Sequence, residues 1–313
     1  QFVPTGIKTI VHGGGYGMDL GVISGNSELT EGSTLAAVTV MMVPIILYLR
    51  SHGVILPKSR ITDAMYLTLV VLSLAATIGT YARTGLIAML VMGVGLWLRS
   101  RRKALMGVAI MVTVAIIAVS VSGGWDKRIG TITTYRDNVS SLSRILVWKW
   151  TLGFAGTHPF GGGFRAYMID HVTIPADISG TGQTVIIPHI AYHSIYFDML
   201  GTQGWVGLAL FFGLVAASYA ALQGSARRAR KLEGMGWCRD LAFALQVSLA
   251  TLLTGGAFVD LSWQPMLYYM FALSACLRHH VRKAEKLAHG EDEAPRWAAA
   301  RLLAGAHARE PAA

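Results

Sequence analysis

Apolar runs of roughly 15 to 22 residues recur along the chain, and each approaches the length at which a helix crosses about 30 Å of hydrocarbon. In that medium only helices and closed barrels satisfy every backbone N–H and C=O. The runs lack the period-two alternation of barrel strands. The chain therefore reads as an all-α protein, a polytopic membrane helix bundle. Its composition, 53% hydrophobic and 14% charged, lies well outside the ordinary soluble range. Seven spans are predicted, near Ser33–Leu49, Ala64–Thr80, Gly85–Leu98, Ala104–Ser122, Gly204–Leu222, Leu241–Val259 and Pro265–Leu277.

The links between spans carry the orientation, because Lys and Arg accumulate in short cytoplasmic loops. Every odd span ends in a basic cluster: Arg50, Lys58 and Arg60 after the first, "RSRRK" after the third, "RRARK" after the fifth, and Arg278, Arg282 and Lys283 after the seventh. The intervening links hold few cations, with Lys8 in the head, Arg83 between spans two and three, and none in "DLSWQ". The expected topology puts the N-terminal segment outside and the C-terminal tail inside. The formal net charge of +10 then reports topology and contact with anionic lipid, and no zinc-finger spacing or RNA-binding aromatic motif points to nucleic acid. Cys238 and Cys276 suggest neither a disulfide framework nor a metal site. The expected division is one membrane domain over 1–290, with an extracytoplasmic loop at 123–203, and a polar cytoplasmic tail over 291–313.

That long outer loop carries Lys127, Arg128, Arg136, Arg144, Lys149 and Arg165, against the usual charge bias. Long loops obey that bias less strictly; alternatively, the cations face an anionic substrate. "SSLSRILVWKWTLGFAGTHPFGGGF" predicts an amphipathic helix, with Leu142, Ile145, Leu146, Trp148 and Leu152 on one face and Arg144 and Lys149 at its margins. Ser141 or Ser143 would cap it, and Pro159 with Gly161, Gly162 and Gly163 would end it. The triple glycine follows no strand and precedes no Gly-Lys-Ser/Thr, so it suits a close backbone approach rather than a nucleotide. Arg83, in "TYARTGLIAML", either snorkels to outer headgroups or offers a permanently charged fork to phosphate.

"PHIAYHSIYFDMLGTQGWVGL" places His189 and His193 four residues apart, a helical spacing. Three readings stay open: a shared metal, an interfacial histidine, or an imidazole that takes a proton from a hydroxyl.

Three segments, "YARTGLIAMLVMGVGLWLRSRRK", "SRILVWKWTLGFAGTHPFGGGFRAY" and "HSIYFDMLGTQGWVGLALFF", occur in the order in which they resemble the O-antigen ligase and polymerase superfamily. The closest likeness is to O-glycosylation ligases associated with exosortase systems, where the His is likewise followed by Ser, Tyr and Phe. The resemblance implies a glycosyltransferase of the bacterial inner membrane with its site facing the periplasm. It would move a glycan from an undecaprenyl-diphosphate carrier to an acceptor hydroxyl on a protein, lipid or glycan, without a metal or other cofactor. By the resemblance, Arg83 and Arg144 hold the diphosphate and His193 activates the acceptor. His189, Arg165 and Arg136 join them as candidate substrate contacts. Many O-antigen ligases carry Asn after the His; Ser194 here favours the exosortase-associated branch or a changed acceptor. Members of the superfamily usually have more than seven spans, and by the resemblance the additional helices are expected before Gln1. A repeat-unit polymerase would use the same donor, and a lipid-linked glycan transporter is the alternative from another class.

Overall fold

The computed structural model describes residues 2–14, 31–53, 55–100, 135–175 and 184–289, with 103–104, 107–108 and 110–111. Eight α-helices stand among the described residues: α1 Phe2–His12, α2 Gly32–His52, α3 Arg60–Gly79, α4 Arg83–Arg99, α5 Tyr135–Thr157, α6 Ile195–Ala229, α7 Gly236–Gly256 and α8 Pro265–His289. Between α5 and α6 lie a 3-10 turn, Ala166–Met168, and two strands, β1 His171–Pro175 and β2 Thr184–Pro188. Local chemistry sets several ends. Glu31 caps α2 by accepting from the Thr34 N–H. Gly53 ends the same helix in the left-handed conformation, its N–H on the Leu49 carbonyl. Ser59 and Thr62 cap α3 reciprocally, a capping box that satisfies two orphan amides.

Three of these helices, α2, α3 and α6, are long and apolar enough to cross a membrane. At 21 residues α2 is about 31 Å long, whereas α4, at 17 residues, falls short. Three further predicted spans appear as α4, α7 and α8. The fourth, Ala104–Ser122, falls mostly outside the described residues, as do Lys127, Arg128 and the tail at 291–313.

Helices α2 and α7 pack together at the centre, α4 lies against both, and α3 and α1 extend the bundle on the far side of α2. On the other side, α6 and α8 pack against α7. The backbones come close where residues are small: a Cβ on Gly85 would press on Thr77 and Ala36, and one on Gly255 on Ala37. Small residues drive such approaches in lipid, where apolar burial alone gives little.

The bundle has two chemically distinct ends. At one, Arg50 bridges to Asp63, Arg99 and His52 meet Asp240, and Arg228 pairs with Glu285. At the other stand the starts of α2, α4, α6 and α8 and the ends of α3 and α7, as the contacts of Gly32 with Thr80 and of Gly256 with Ile195 record. This partition matches the one that the cationic links predicted.

Helix α6 begins nine residues before the span predicted from Gly204, and Gly204 itself is where it breaks. There φ is 65° and ψ is −165°, a region that glycine essentially monopolises. The loop after α5 fills the break. Gly162 N–H donates to the Gly201 carbonyl and Gly163 N–H to the Thr202 carbonyl, each at 2.9 Å. A Cβ on Gly204 would overlap the Pro159 carbonyl, and one on Gly161 the backbone of 202–204. The triple glycine thus serves the close backbone approach expected of it. The loop also holds a two-stranded antiparallel sheet, with His171 opposite Pro188 and Pro175 opposite Thr184. An all-α reading did not include this hairpin.

Gly204→Ala combines a forbidden backbone angle, costing about 1–3 kcal/mol, with a clash against Pro159. A large drop in the thermal unfolding midpoint of the detergent-solubilised protein is expected; an unchanged midpoint would refute the interlock.

Candidate functional site

Helix α6 starts at Ile195 because Ser194, in an extended conformation, stops the irregular segment 189–194. That segment is clamped from two directions. From the turn after α7, Asp260 Oδ1 accepts the Ser194 N–H at 3.1 Å, and Ser262 Oγ donates to the Ile195 carbonyl at 3.0 Å. From the hairpin side, Asp170 Oδ1 accepts the Ile190 N–H at 2.8 Å. Between these clamps His193 takes φ 50° and His189 φ 59°, left-handed values that bulky residues hold only under external constraint.

His193 Nδ1 faces Asp260 Oδ2 at 3.9 Å, both side chains partly exposed. Burial pushes the imidazole below its ordinary 6.5, and the Arg144 cation acts in the same direction, opposed by Asp260 and Glu31. Burial likewise pushes the Asp260 carboxyl up, opposed by His193, by the amides of Ser194 and His193, and by Arg144. Each member of the pair is thereby drawn towards its neutral form by desolvation and towards its charged form by the other.

Helix α5 brings Arg144 to this place. One turn along, the Trp148 indole N–H donates to the Tyr192 carbonyl at 2.7 Å, and its ring stacks on Phe197 at 4.7 Å between centroids, 2° from parallel. Val147, Thr151 and Ala155 are buried on the same side. Arg144 precedes Trp148 by four residues, so both share that face. Its Nε is buried and has no hydrogen-bond partner among the described residues. The face differs from the predicted one: Ile145 and Leu152 are exposed, and the helix starts at Tyr135 rather than at Ser141 or Ser143. Arg144 was expected at a margin and sits instead on the docked side.

Two further charged groups stand at this end of the bundle. Glu31, ahead of α2, receives the Thr34 N–H at 2.7 Å and the Thr34 hydroxyl at 2.9 Å. Burial alone would raise its carboxyl, but these bonds, with those from Ser33, outweigh it and hold the group below the ordinary carboxylate range. Arg83 opens α4 at the same end of the bundle, exposed, after a three-residue link in which Tyr81 adopts φ 50°. The Ala82 N-cap brings no side-chain acceptor to the first turn of α4.

The structure thus brings His193 and Arg144 together and adds Asp260 and Glu31, which the sequence reading missed. Arg83 shares their end of the bundle, but the charges acting on His193 are Asp260, Arg144 and Glu31. His189 and His193 lie on no helix, so the i, i+4 geometry assumed for them does not exist. His189 is exposed at the end of β2, its N–H on the Asp170 carbonyl. Among the described residues no three His, Cys, Asp or Glu side chains stand close enough to hold a metal. Arg165 is exposed beside the glycine loop. Arg136 falls in the first turn of α5, and its side chain lies outside the described residues.

Comparison with known families places this geometry in context. Residues 68–212, from α3 to the middle of α6, match the O-antigen ligase family. Residues 1–54 match a family of unknown function, DUF5935. No curated protein matches the chain. Arg83, Arg144 and His193 fall within the first match, Glu31 within the second, and Asp260 outside both.

Trp148→Phe keeps a ring on Phe197 but deletes the bond to the Tyr192 carbonyl. A loss of about 1 kcal/mol is expected, with faster amide exchange confined to residues 189–194. Unchanged exchange there would show that α5 does not hold the His193 segment.

Proposed function

Because residues 68–212 of this integral membrane chain match the O-antigen ligase family, we propose that it transfers a glycan from an undecaprenyl-diphosphate carrier to an acceptor hydroxyl at the periplasmic face of the bacterial inner membrane. The family supports a glycosyl-transferring enzyme of ligase or polymerase type, acting between a lipid-linked glycan and an acceptor. The observation that carries the finer reading is the buried Nε of Arg144, without a hydrogen-bond partner among the described residues, beside a histidine whose pKa burial lowers. A buried donor left unpaired costs about 1–3 kcal/mol, and a diphosphate oxygen would satisfy it.

The proposed reaction follows from these groups. Nδ1 of His193 faces Asp260 at 3.9 Å, and in the proposed scheme Nε2 is the acceptor nitrogen of the neutral ring. Nε2 takes the proton of the acceptor hydroxyl as its oxygen attacks the anomeric carbon. The bond from that carbon to the phosphate oxygen breaks, and undecaprenyl diphosphate leaves with the electron pair. Attack from the face opposite the leaving group inverts the anomeric centre. Arg144 binds the diphosphate and stabilises the charge that develops on it; Arg83, heading α4 at the same end, is its proposed second clamp. Such donors act strongly in a poorly solvated cleft, where removing one costs about 100- to 1,000-fold in rate. Asp260 touches no substrate in this scheme and acts by orienting the ring and favouring its protonated form. Ser194, after the His, favours the exosortase-associated branch or a changed acceptor.

The test uses the full-length protein in proteoliposomes, with a labelled undecaprenyl-diphosphate glycan. His193→Ala should lower transfer by about 100- to 10,000-fold, with donor binding retained. The neutral ring is the active form, so the acid limb of the rate profile should lie below 6.5, the ordinary imidazole value. Asp260→Asn removes the charge that favours the protonated ring and should shift that limb lower still. Full activity of His193→Ala, or a limb that moves up in Asp260→Asn, would overturn the assignment.

A further inference from the structure

A second site lies at the opposite, basic end of the bundle, in a groove between α6 and α8. Its volume is about 280 Å³, and its lining includes Leu214, Ser218, Phe271, Arg278, His279 and Arg282. The lining is ordered along the helices. Both run from the site end towards the basic end, so Leu214 and Phe271 lie nearer the middle of the bundle and Arg278 and Arg282 nearer its rim. Arg278 and Arg282 are four residues apart, and Phe271 precedes Arg278 by seven, so all three share a face of α8.

Among the described residues, the charge in this groove is not balanced. Helix α8 carries Arg278, Arg282, Lys283 and Lys286 against one acid, Glu285. That carboxylate is bound to Arg228 Nε at 2.9 Å. Among the described residues no ion pair includes Arg278 or Arg282. Clustered cations above an apolar trough between membrane helices match one ligand chemistry, a phosphate ester attached to a hydrocarbon chain.

We propose that this groove binds an anionic glycerophospholipid from the leaflet at the basic end. Its phosphodiester sits among Arg278, His279 and Arg282, and an acyl chain lies along Phe271 and Leu214. Arg278 and Arg282 supply the preference over zwitterionic lipid, because a phosphatidylcholine brings its own cation to the same place. A soluble phosphate ester would use the arginines but not Leu214, whose side chain is 44% exposed. The proposal is independent of glycan transfer at the other end.

The full-length protein, delipidated in detergent, is titrated with dioleoyl phosphatidylglycerol or dioleoyl phosphatidylcholine and read by native mass spectrometry. Phosphatidylglycerol should bind more tightly. Arg278→Gln with Arg282→Gln should weaken it by roughly 25-fold, about 5-fold per cation, and leave phosphatidylcholine unchanged. Leu214→Asn should weaken phosphatidylglycerol but not glycerol phosphate. Thermal unfolding checks each variant, and Arg278→Lys with Arg282→Lys should retain most of the lipid preference. Equal affinity for the two lipids, or an undiminished preference in the double Gln variant, would overturn the proposal. Phosphatidylglycerol binding that ignores Leu214 and is displaced by millimolar glycerol phosphate would indicate a phosphate site instead, and would also overturn it.

Discussion

The break in α6 at Gly204 is the constraint on which the rest of the structure depends. A helix that loses its register inside an apolar environment leaves carbonyls that must find donors. Here the amides of Gly162 and Gly163 supply them for Gly201 and Thr202. Only glycine fits on either side of this contact, because a Cβ on Gly161 or Gly204 would overlap the facing backbone. The loop after α5 is therefore fixed to the head of α6. With Trp148 bonded to the Tyr192 carbonyl, the same docking fixes Arg144 next to the segment that carries His193.

Once that docking is made, electrostatics organises the site. Asp260 comes from the turn after α7 and holds the Ser194 amide; Glu31 comes from the start of α2, its carboxylate held by Thr34. Two acids, a permanent cation and an imidazole then share one end of the bundle, remote from the ion pairs of Arg50, Arg99 and Arg228 at the other. Groups of this kind are costly near hydrocarbon and tend to mark function. The left-handed backbone of His193 adds strain that the surrounding bonds must sustain. Those bonds come from three separate elements, which explains how a local conformation this unfavourable persists.

Much of this was legible in the sequence. The apolar runs and basic links predicted the helices and the polarity of the bundle, because length and charge asymmetry are local properties of the chain. Arg144 and His193 stood out since cations and histidines in an outer loop break a bias. Glu31 and Asp260 escaped notice: each is an acid near a helix end with no motif around it, and Asp260 meets its partner 66 residues away in sequence. The histidine spacing misled because Pro188 and Ser194, a helix-start residue, bracket a segment that does not continue into the helix. "HVTIP" and "TVIIP" carry the β-branched signature of strands, but five residues each are too few to stand out beside long helical runs. The buried face of α5 was misassigned because Ile145 and Leu152 are apolar yet exposed. In a membrane protein, apolar side chains do not have to face the protein core.

In the proposed reaction Arg144 and His193 act on one substrate as one unit. A double-mutant cycle on transfer rate tests it most directly, using Arg144→Gln, His193→Ala and their combination in the full-length protein. Residues that act as a unit are strongly non-additive, so the double variant should be scarcely slower than the worse single one. If the two losses multiply in full, the residues act independently and the site described here is not one site.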